Sequence, residues 1–336
     1  GCSFREALTD AILSIARMRR FDRLIVECSG FVEPTLVASI FNDAIADQEA
    51  LAGLARLDQL VTVVDAETVW GGVRSSAELG KCGMSGGEDD TRTLSELLVE
   101  QIEHCSLIVL NRSTKIDAGC LERVTTLLRC LNPEAEVLPA ADTVKLAERI
   151  LAHREGAEHG ISFQPGWAKL IDQSDIPSEP SQKWTSGVFR TSRPFHPERL
   201  WRCVEDDWPG VLRCKGYFWL ASQPDRCFSW EQTAGSRHFE GVGQWWVATP
   251  QPEWPTNEAF LRHLKSEWTI EFGDRRQELA CIGYEADQEA LFARLRGCLL
   301  TREELLLGEE AWRRFNDPFE RATQQTGSRE DDTESE

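Results

Sequence analysis

Three polar residues stand at the ends of short Val/Ile/Leu-rich runs in the first half of the chain. They are Glu27 after Leu24-Ile25-Val26, Asp65 after Leu60–Val64, and Asn111 after Leu107–Leu110. In open parallel sheets, ligands collect at the carboxyl ends of the strands, so a carboxylate there commonly faces a metal ion or a phosphate. Glu27 is followed by Cys28, Ser29 and Gly30. A glycine at that distance lets a backbone N–H approach a phosphate oxygen while the carboxylate relays to a metal-bound water. Strand ends are also where polar residues and helix caps ordinarily fall, so it is the recurrence at three runs that makes a ligand site the better reading.

Asn111 opens the stretch NRSTKID. In the Asn-Lys-x-Asp box of GTPases the Asn fixes the loops and the Asp accepts two hydrogen bonds from guanine. Read without a gap, Arg112 replaces the Lys and Thr114 takes the Asp position, and a hydroxyl is not a bidentate anionic acceptor. A loop longer by three residues brings Asp117 there instead. The phosphate loop G-x-x-x-x-G-K-[ST] does not occur in the sequence: in LGKCG, residues 79–83, Cys82 follows the Lys and no upstream Gly is in place. GVGQWW, residues 241–246, lacks the third Gly of G-x-G-x-x-G. Without a nest of backbone N–H groups and its Lys, these residues alone have no basis for tight triphosphate binding.

The elements that must position these groups follow from periodicity. Helices are predicted over 5–19, 36–45, 93–105 and 118–130, and strands over 23–27, 60–65, 106–111 and 136–139. Alternation of this kind implies a parallel sheet covered on both faces. Residues 152–183 read as a polar connector with Pro165, Pro177 and Pro180. Beyond it, strands near 185–190, 211–220, 227–233 and 243–248 and helices near 197–206 and 287–297 predict an α+β domain. Eleven of the twelve tryptophans lie past residue 160, which marks the change of domain. Core packing explains the stretch from Trp201 to Trp246 better than a partner surface does. The final QQTGSREDDTESE is predicted to be a disordered acidic tail.

A length of 336 residues accommodates two cores. The formal net charge of −19 argues against a nucleic-acid or anionic-membrane partner. No apolar run reaches the roughly 20 residues of a membrane span. The cysteines number eleven with no C-x-x-C, a usage that suits reduced, mostly buried thiols in the cytoplasm. Cys28 is expected to be buried.

Taken in order and spacing, RFDRLIVECSGFVEP, LVTVVDA, LLVEQIEHCSLIVLN and LNPEAEV resemble the CobW-type GTPases, a P-loop family linked to metal-cofactor insertion and zinc handling. RPFHPERLW, WPGVLRCKGYFWLAS and the stretch from GDRRQELACIGY to LFARLRGCLLTREELLLG are similar to the family's carboxyl-terminal domain. The resemblance covers roughly residues 1–320. It implies an incomplete P-loop NTPase sheet over 1–151, a linker over 152–183, a smaller α+β domain over 184–318, and a tail over 319–336. It also implies that Glu27 and Gly30 serve the Mg²⁺ relay and γ-phosphate sensing, and that Asn111, with Asp117, serves base recognition.

By the same resemblance Cys2 matches the last Cys of a zinc-binding C-x-C-C motif, with Gly1 at its neighbour's place. One thiol does not make a tetrahedral zinc site. The P-loop and switch I of the family would precede Gly1, so the chain is expected to be a truncated member, inactive alone. The implied ligands are GTP, Mg²⁺ and a divalent metal, zinc favoured, with a client metalloprotein as partner. The other reading is a non-catalytic protein- or metal-binding module on a degenerate GTPase scaffold.

The remaining candidates have bland readings that outweigh the chemical ones. His196 in RPFHP reads as structural before metal-binding, and His153 and His159 read as solvent-exposed connector residues. Arg193, Arg213 and Lys215 read equally as packing charges or docking groups.

Overall fold

The computed structural model describes residues 2–46, 53–81, 90–152, 165–172 and 183–320. In chain order the elements are α1 (Cys2–Arg17), α2 (Pro34–Ala46), β1 (Val61–Asp65), α3 (Val69–Gly72), α4 (Leu94–Glu103), β2 (Leu107–Asn111), α5 (Ala118–Leu131), β3 (Glu136–Pro139), α6 (Thr143–Leu151) and α7 (Gly166–Ile171). There follow β4 (Trp184–Thr191), α8 (Pro197–Glu205), β5 (Val211–Phe218), β6 (Arg226–Thr233), β7 (Ser236–Gln244), α9 (Glu258–Ser266), β8 (Gln277–Tyr284), α10 (Gln288–Cys298), α11 (Arg302–Leu306) and α12 (Glu309–Trp312). Two compact units result, Gly1–Gly166 and Trp167–Glu336.

In the first unit β1, β2 and β3 lie side by side in that order, both pairs parallel. The run Leu107–Leu110 becomes the central strand because each of its residues is apolar, and all four are buried. Helix α4 starts where Thr93 and Glu96 form a reciprocal capping box. Helix α5 buries Val124, Leu127, Leu128 and Leu131, one stripe at helical spacing.

Asn132, 3% exposed, turns the chain from α5 toward β3. Its Nδ2 donates to the carbonyls of Ile102 and Cys105, both at 2.8 Å, which closes the α4–β2 corner. Its Oδ1 accepts from the backbone N–H of Glu134 and Ala135 at 3.2 and 3.1 Å. One side chain thus satisfies backbone groups on both sides of β2.

The strand predicted over 23–27 is not formed. Leu24, Ile25 and Val26 are 46%, 70% and 41% exposed and sit in irregular chain. An apolar run becomes a strand only where a neighbour offers a row of backbone groups, and no described residue pairs with it. The outer side of β1 is correspondingly open, with Val63 67% exposed. The segment is held by an Arg23–Asp58 ion pair. The connector predicted to lack periodicity contains α7, while 153–164 and 173–182, with His153 and His159, lie outside the described residues.

The second unit is a five-stranded antiparallel sheet in the order β4-β8-β5-β6-β7. Helices α8 and α10 supply Leu200, Leu291 and Leu295 to a core shared with Phe189, Phe195, Phe218, Phe228 and Trp230. Phe319, placed by sequence at the start of the tail, is fully buried in that core, and 321–336 lie outside the described residues. Trp219 and Trp230 are wholly buried, as core packing requires. The piece predicted as a strand over 243–248 ends instead at Gln244 and passes into a 3₁₀ turn over Trp246–Ala248.

Strand β8 is an interior strand, buried from Gln277 to Gly283, yet it begins with the polar pair Gln277 and Glu278. Gln277 Nε2 donates to the carbonyls of Arg193 and Trp219, both at 3.0 Å. Glu278 accepts from Arg190 and Arg276 at 2.7 and 2.9 Å.

A pH effect follows from the start of α11. Glu304 receives both guanidinium nitrogens of Arg199 at 2.7 and 2.6 Å and completes a capping box with Thr301. The Arg199 bonds hold its carboxyl down at about 2, against an ordinary value of 4.5. The folded-state value lies below the unfolded one, so the stabilisation is fully present above about pH 4.5 and is lost as pH falls toward 2. Urea unfolding of the second unit is expected to weaken across that window. Replacing Glu304 by Gln should flatten this part of the profile.

Candidate functional site

The carboxyl ends of β1 and β2 place Asp65 and Asn111 directly opposite one another. The chain then tightens, with the Ala66 N–H donating to the Asn111 carbonyl at 3.0 Å. Arg112 follows in the left-handed conformation, φ 56°. From there its Nη1 donates to Asp65 Oδ2 at 2.8 Å and lies 3.5 Å from Glu67 Oε2. Asp65 Oδ1 accepts from the Glu67 N–H at 3.0 Å. Both oxygens of this strand-end carboxylate are thereby engaged within the protein. Asn111 itself is exposed, with Oδ1 accepting from the Arg112 N–H at 2.9 Å.

Beyond Arg112 a 3₁₀ turn over Ser113–Lys115 leads to Asp117, the N-cap of α5. Asp117 Oδ1 accepts from the Cys120 N–H at 2.9 Å, and that bond lowers the carboxyl below its ordinary value. A cap at a helix N-terminus is sufficient reason for an Asp here.

Glu27 and Gly30 lie on the irregular stretch before α2, both exposed. The stretch is fastened to α4: Gln101 Nε2 donates to the carbonyls of Gly30 and Val32 at 2.9 and 3.2 Å. Thr35 Oγ1 donates to Glu100 Oε1 at 2.7 Å. Arg92 adds a bridge, pairing with Asp90 at 2.7 Å and with Glu33. Space around Gly30 is open, with no heavy atom within 4 Å of where a Cβ would stand. Among the described residues no hydrogen bond or ion pair joins Glu27 to Asp65, Asn111 or Asp117.

The structure therefore brings together Asp65, Asn111 and Arg112, and leaves Glu27 and Gly30 on a separately tethered segment. Arg112 is the participant that sequence reading undervalued, as a mere substitute for Lys. The available signal was a cation directly after one strand end, opposite an acidic one. Cys28, expected to be buried, is exposed. His196 opens α8, stacked on Phe315 with ring centroids 4.7 Å apart. Burial holds its imidazole below the ordinary value.

The donors for a metal do not come together. Among the described residues no group of three or more His, Cys, Asp or Glu is placed to hold an ion. Asp65 is committed to Arg112 and the Glu67 N–H, and Glu27 has no second donor bonded to it. Cys2 opens α1, and its side chain lies outside what is described. These residues as they stand do not fit a Mg²⁺ or Zn²⁺ centre. No helix among the described residues is long and apolar enough to cross a membrane.

A parallel three-stranded sheet with helices, followed by a separate antiparallel unit, defines an α/β domain joined to a second, α+β module. Residues 1–139 match the CobW/HypB/UreG nucleotide-binding domain, and residues 184–299 match the cobalamin synthesis protein cobW C-terminal domain. The zinc-regulated GTPase metalloprotein activator 1 of Dictyostelium discoideum is 33% identical over 329 residues, 95% of this chain and 68% of that protein. The chain belongs to the CobW family.

A zinc chaperone of Mycobacterium tuberculosis is 28% identical over 242 residues, covering 69% of this chain and 56% of that one. The zinc chaperone CobW of Pseudomonas aeruginosa is 24% identical over 296 residues, covering 85% and 68%. The Zn(II)-bound YjiA GTPase from E. coli superposes with a TM-score of 0.33 at 15% identity, over 88% of this chain and 76% of that one. That score is too low to bear on function.

Proposed function

We infer that this chain serves as a GTP-dependent metal chaperone, with zinc as cargo and a metalloprotein as client. The observation that carries the reading is the ordered pairing of a CobW-type nucleotide domain with a CobW carboxyl-terminal domain in one chain. Relatives named as zinc chaperones and as a zinc-regulated GTPase support it. In this reading GTP lies across the carboxyl ends of β1 and β2. Asn111 would steady the base-side loop, and Glu27 and Gly30 would serve the γ-phosphate side. Asp117 meets the base only by leaving its position as helix cap.

A second reading, a non-catalytic binding module, draws on the Arg112–Asp65 pair, which closes the strand end with an internal ion pair, and on Thr114 at the ungapped acid position. Steady-state GTP hydrolysis separates the two. The 336-residue chain is expected to show no turnover above background. A protein in which a family phosphate loop and its strand are joined ahead of this chain is expected to turn GTP over and to respond to added zinc. Turnover by the 336-residue chain itself would overturn the requirement for a separate phosphate loop. Silence of both proteins, with zinc still bound, would leave the binding module standing.

A further inference from the structure

Cys214 and Cys281 face one another across two adjacent interior strands of the second unit. They are direct partners in the β5–β8 register, and their sulfurs are 3.0 Å apart. Both are buried, at 0% and 4% exposure, and both are free thiols. Directly opposed residues of an antiparallel pair have Cα atoms about 4.5 or 5.5 Å apart. Either value falls inside the roughly 4.4–6.8 Å that a disulfide spans. Closing the sulfurs to a bond therefore asks for side-chain rotation and no movement of the strands. The register is regular from Arg213 to Tyr217, and Gly216, two residues on, packs so closely that a Cβ there would stand 1.9 Å from the Glu278 carbonyl oxygen.

We propose that Cys214 and Cys281 are an oxidative modification site, forming a cross-strand disulfide between β5 and β8 when the protein meets a hydroperoxide. The thiolate of one cysteine displaces hydroxide from the peroxide, giving a sulfenic acid, and the hydroxide takes up the proton the thiol released to become water. The sulfur of the second cysteine attacks the sulfenic sulfur, the S–O bond breaks, and the departing hydroxide takes the second thiol proton. Two thiols lose two electrons in all, and one peroxide becomes two waters.

The hydrogen bond with Cys214 and then burial push the Cys281 thiol well above its ordinary value, and the thiolate is the reactive form. The reaction is therefore slow in the closed sheet and follows its opening, whereas exposed Cys28 is oxidised directly. The same core holds a second pair, Cys203 and Cys298, but there the Cys298 thiol already donates to the carbonyls of Arg199 and Arg294 at 3.4 and 3.3 Å.

Hydrogen peroxide treatment of the intact chain, followed by alkylation of free thiols, proteolysis and mass spectrometry, tests the assignment. The expected result is a linked peptide pair containing Cys214 and Cys281, cleaved by dithiothreitol. Mild urea should hasten its appearance. A rise in thermal midpoint of roughly 5–10 °C should accompany it, since the bond closes a long loop of the unfolded chain. Cys281→Ala is expected to remove both the linked peptide and the rise. Should that variant fold poorly, peptide mapping of the unaltered protein decides alone. Recovery of Cys214 and Cys281 as alkylated thiols after Cys28 is fully oxidised, or a Cys203–Cys298 link in their place, would overturn the proposal.

Discussion

Replacing Trp230 by Ala is expected to cost the second unit about 3–5 kcal/mol, read as a lowered urea midpoint with the first unit's transition unmoved. The side chain is wholly buried. Its ring meets Phe239 edge-on with centroids 5.0 Å apart, Trp208 at 5.2 Å and Phe218 at 5.8 Å. Alanine leaves a cavity ringed by rigid aromatics, which cannot collapse to fill it. Trp230→Phe provides the contrast. The indole Nε1 is buried without a hydrogen-bond partner, so Phe removes an unsatisfied donor while keeping most of the packing. The two effects oppose, and the net change should be within about 1 kcal/mol. A large loss in Trp230→Phe would mean that ring size alone governs the site.

Asn132→Ala should destabilise the first unit by about 3 kcal/mol or more, because four backbone groups lose their partner together where solvent has little access. The consequence reaches the candidate site. Asn132 ties the end of α4 and the approach to β2 to the turn before β3, and β2 carries Asn111 at its far end. Asn132→Asp is expected to be at least as damaging, since it trades the donor to the Ile102 and Cys105 carbonyls for an acceptor. Hydrogen exchange along Leu107–Leu110 gives a local readout: faster exchange there in either variant supports the role. A loss below 1 kcal/mol would show that the turn holds by itself.

Some of this architecture is legible in the residues, and the reasons differ by element. Strand β2 is readable because Leu107–Leu110 are uniformly apolar, as a strand covered on both faces requires. Helix α4 is readable because TLSE writes its own cap. The run Leu24-Ile25-Val26 has the same local signal as β2, yet it stays irregular, because periodicity does not reveal whether a neighbouring strand is there to pair with. Strand β8 was passed over for the converse reason. Its opening Gln277 and Glu278 look like surface residues and are buried with partners of which Arg193, Trp219 and Arg190 lie 84, 58 and 88 positions away, only Arg276 being near in sequence. At the candidate site Asn111 was legible by position. The Arg112–Asp65 bond was not, since it joins residues 47 positions apart. Asp117 illustrates a third case, in which one residue fits two signals, a base contact and a helix cap, and the structure places it in the second.

The strand order β4-β8-β5-β6-β7 sets a timetable for synthesis. Strands β5, β6 and β7 are consecutive and can pair as soon as each leaves the ribosome. Strand β4 has only β8 as a neighbour, and some 85 residues separate the end of one from the start of the other. At roughly 5–20 residues per second, β4 therefore waits on the order of 4–17 s for its sole partner. Through that interval the nascent chain carries an unpaired β4 and a meander with β5 open along one side. The strand that joins β4 to the meander is the last of the five to be translated, and the second unit is committed to closing after its strands are complete.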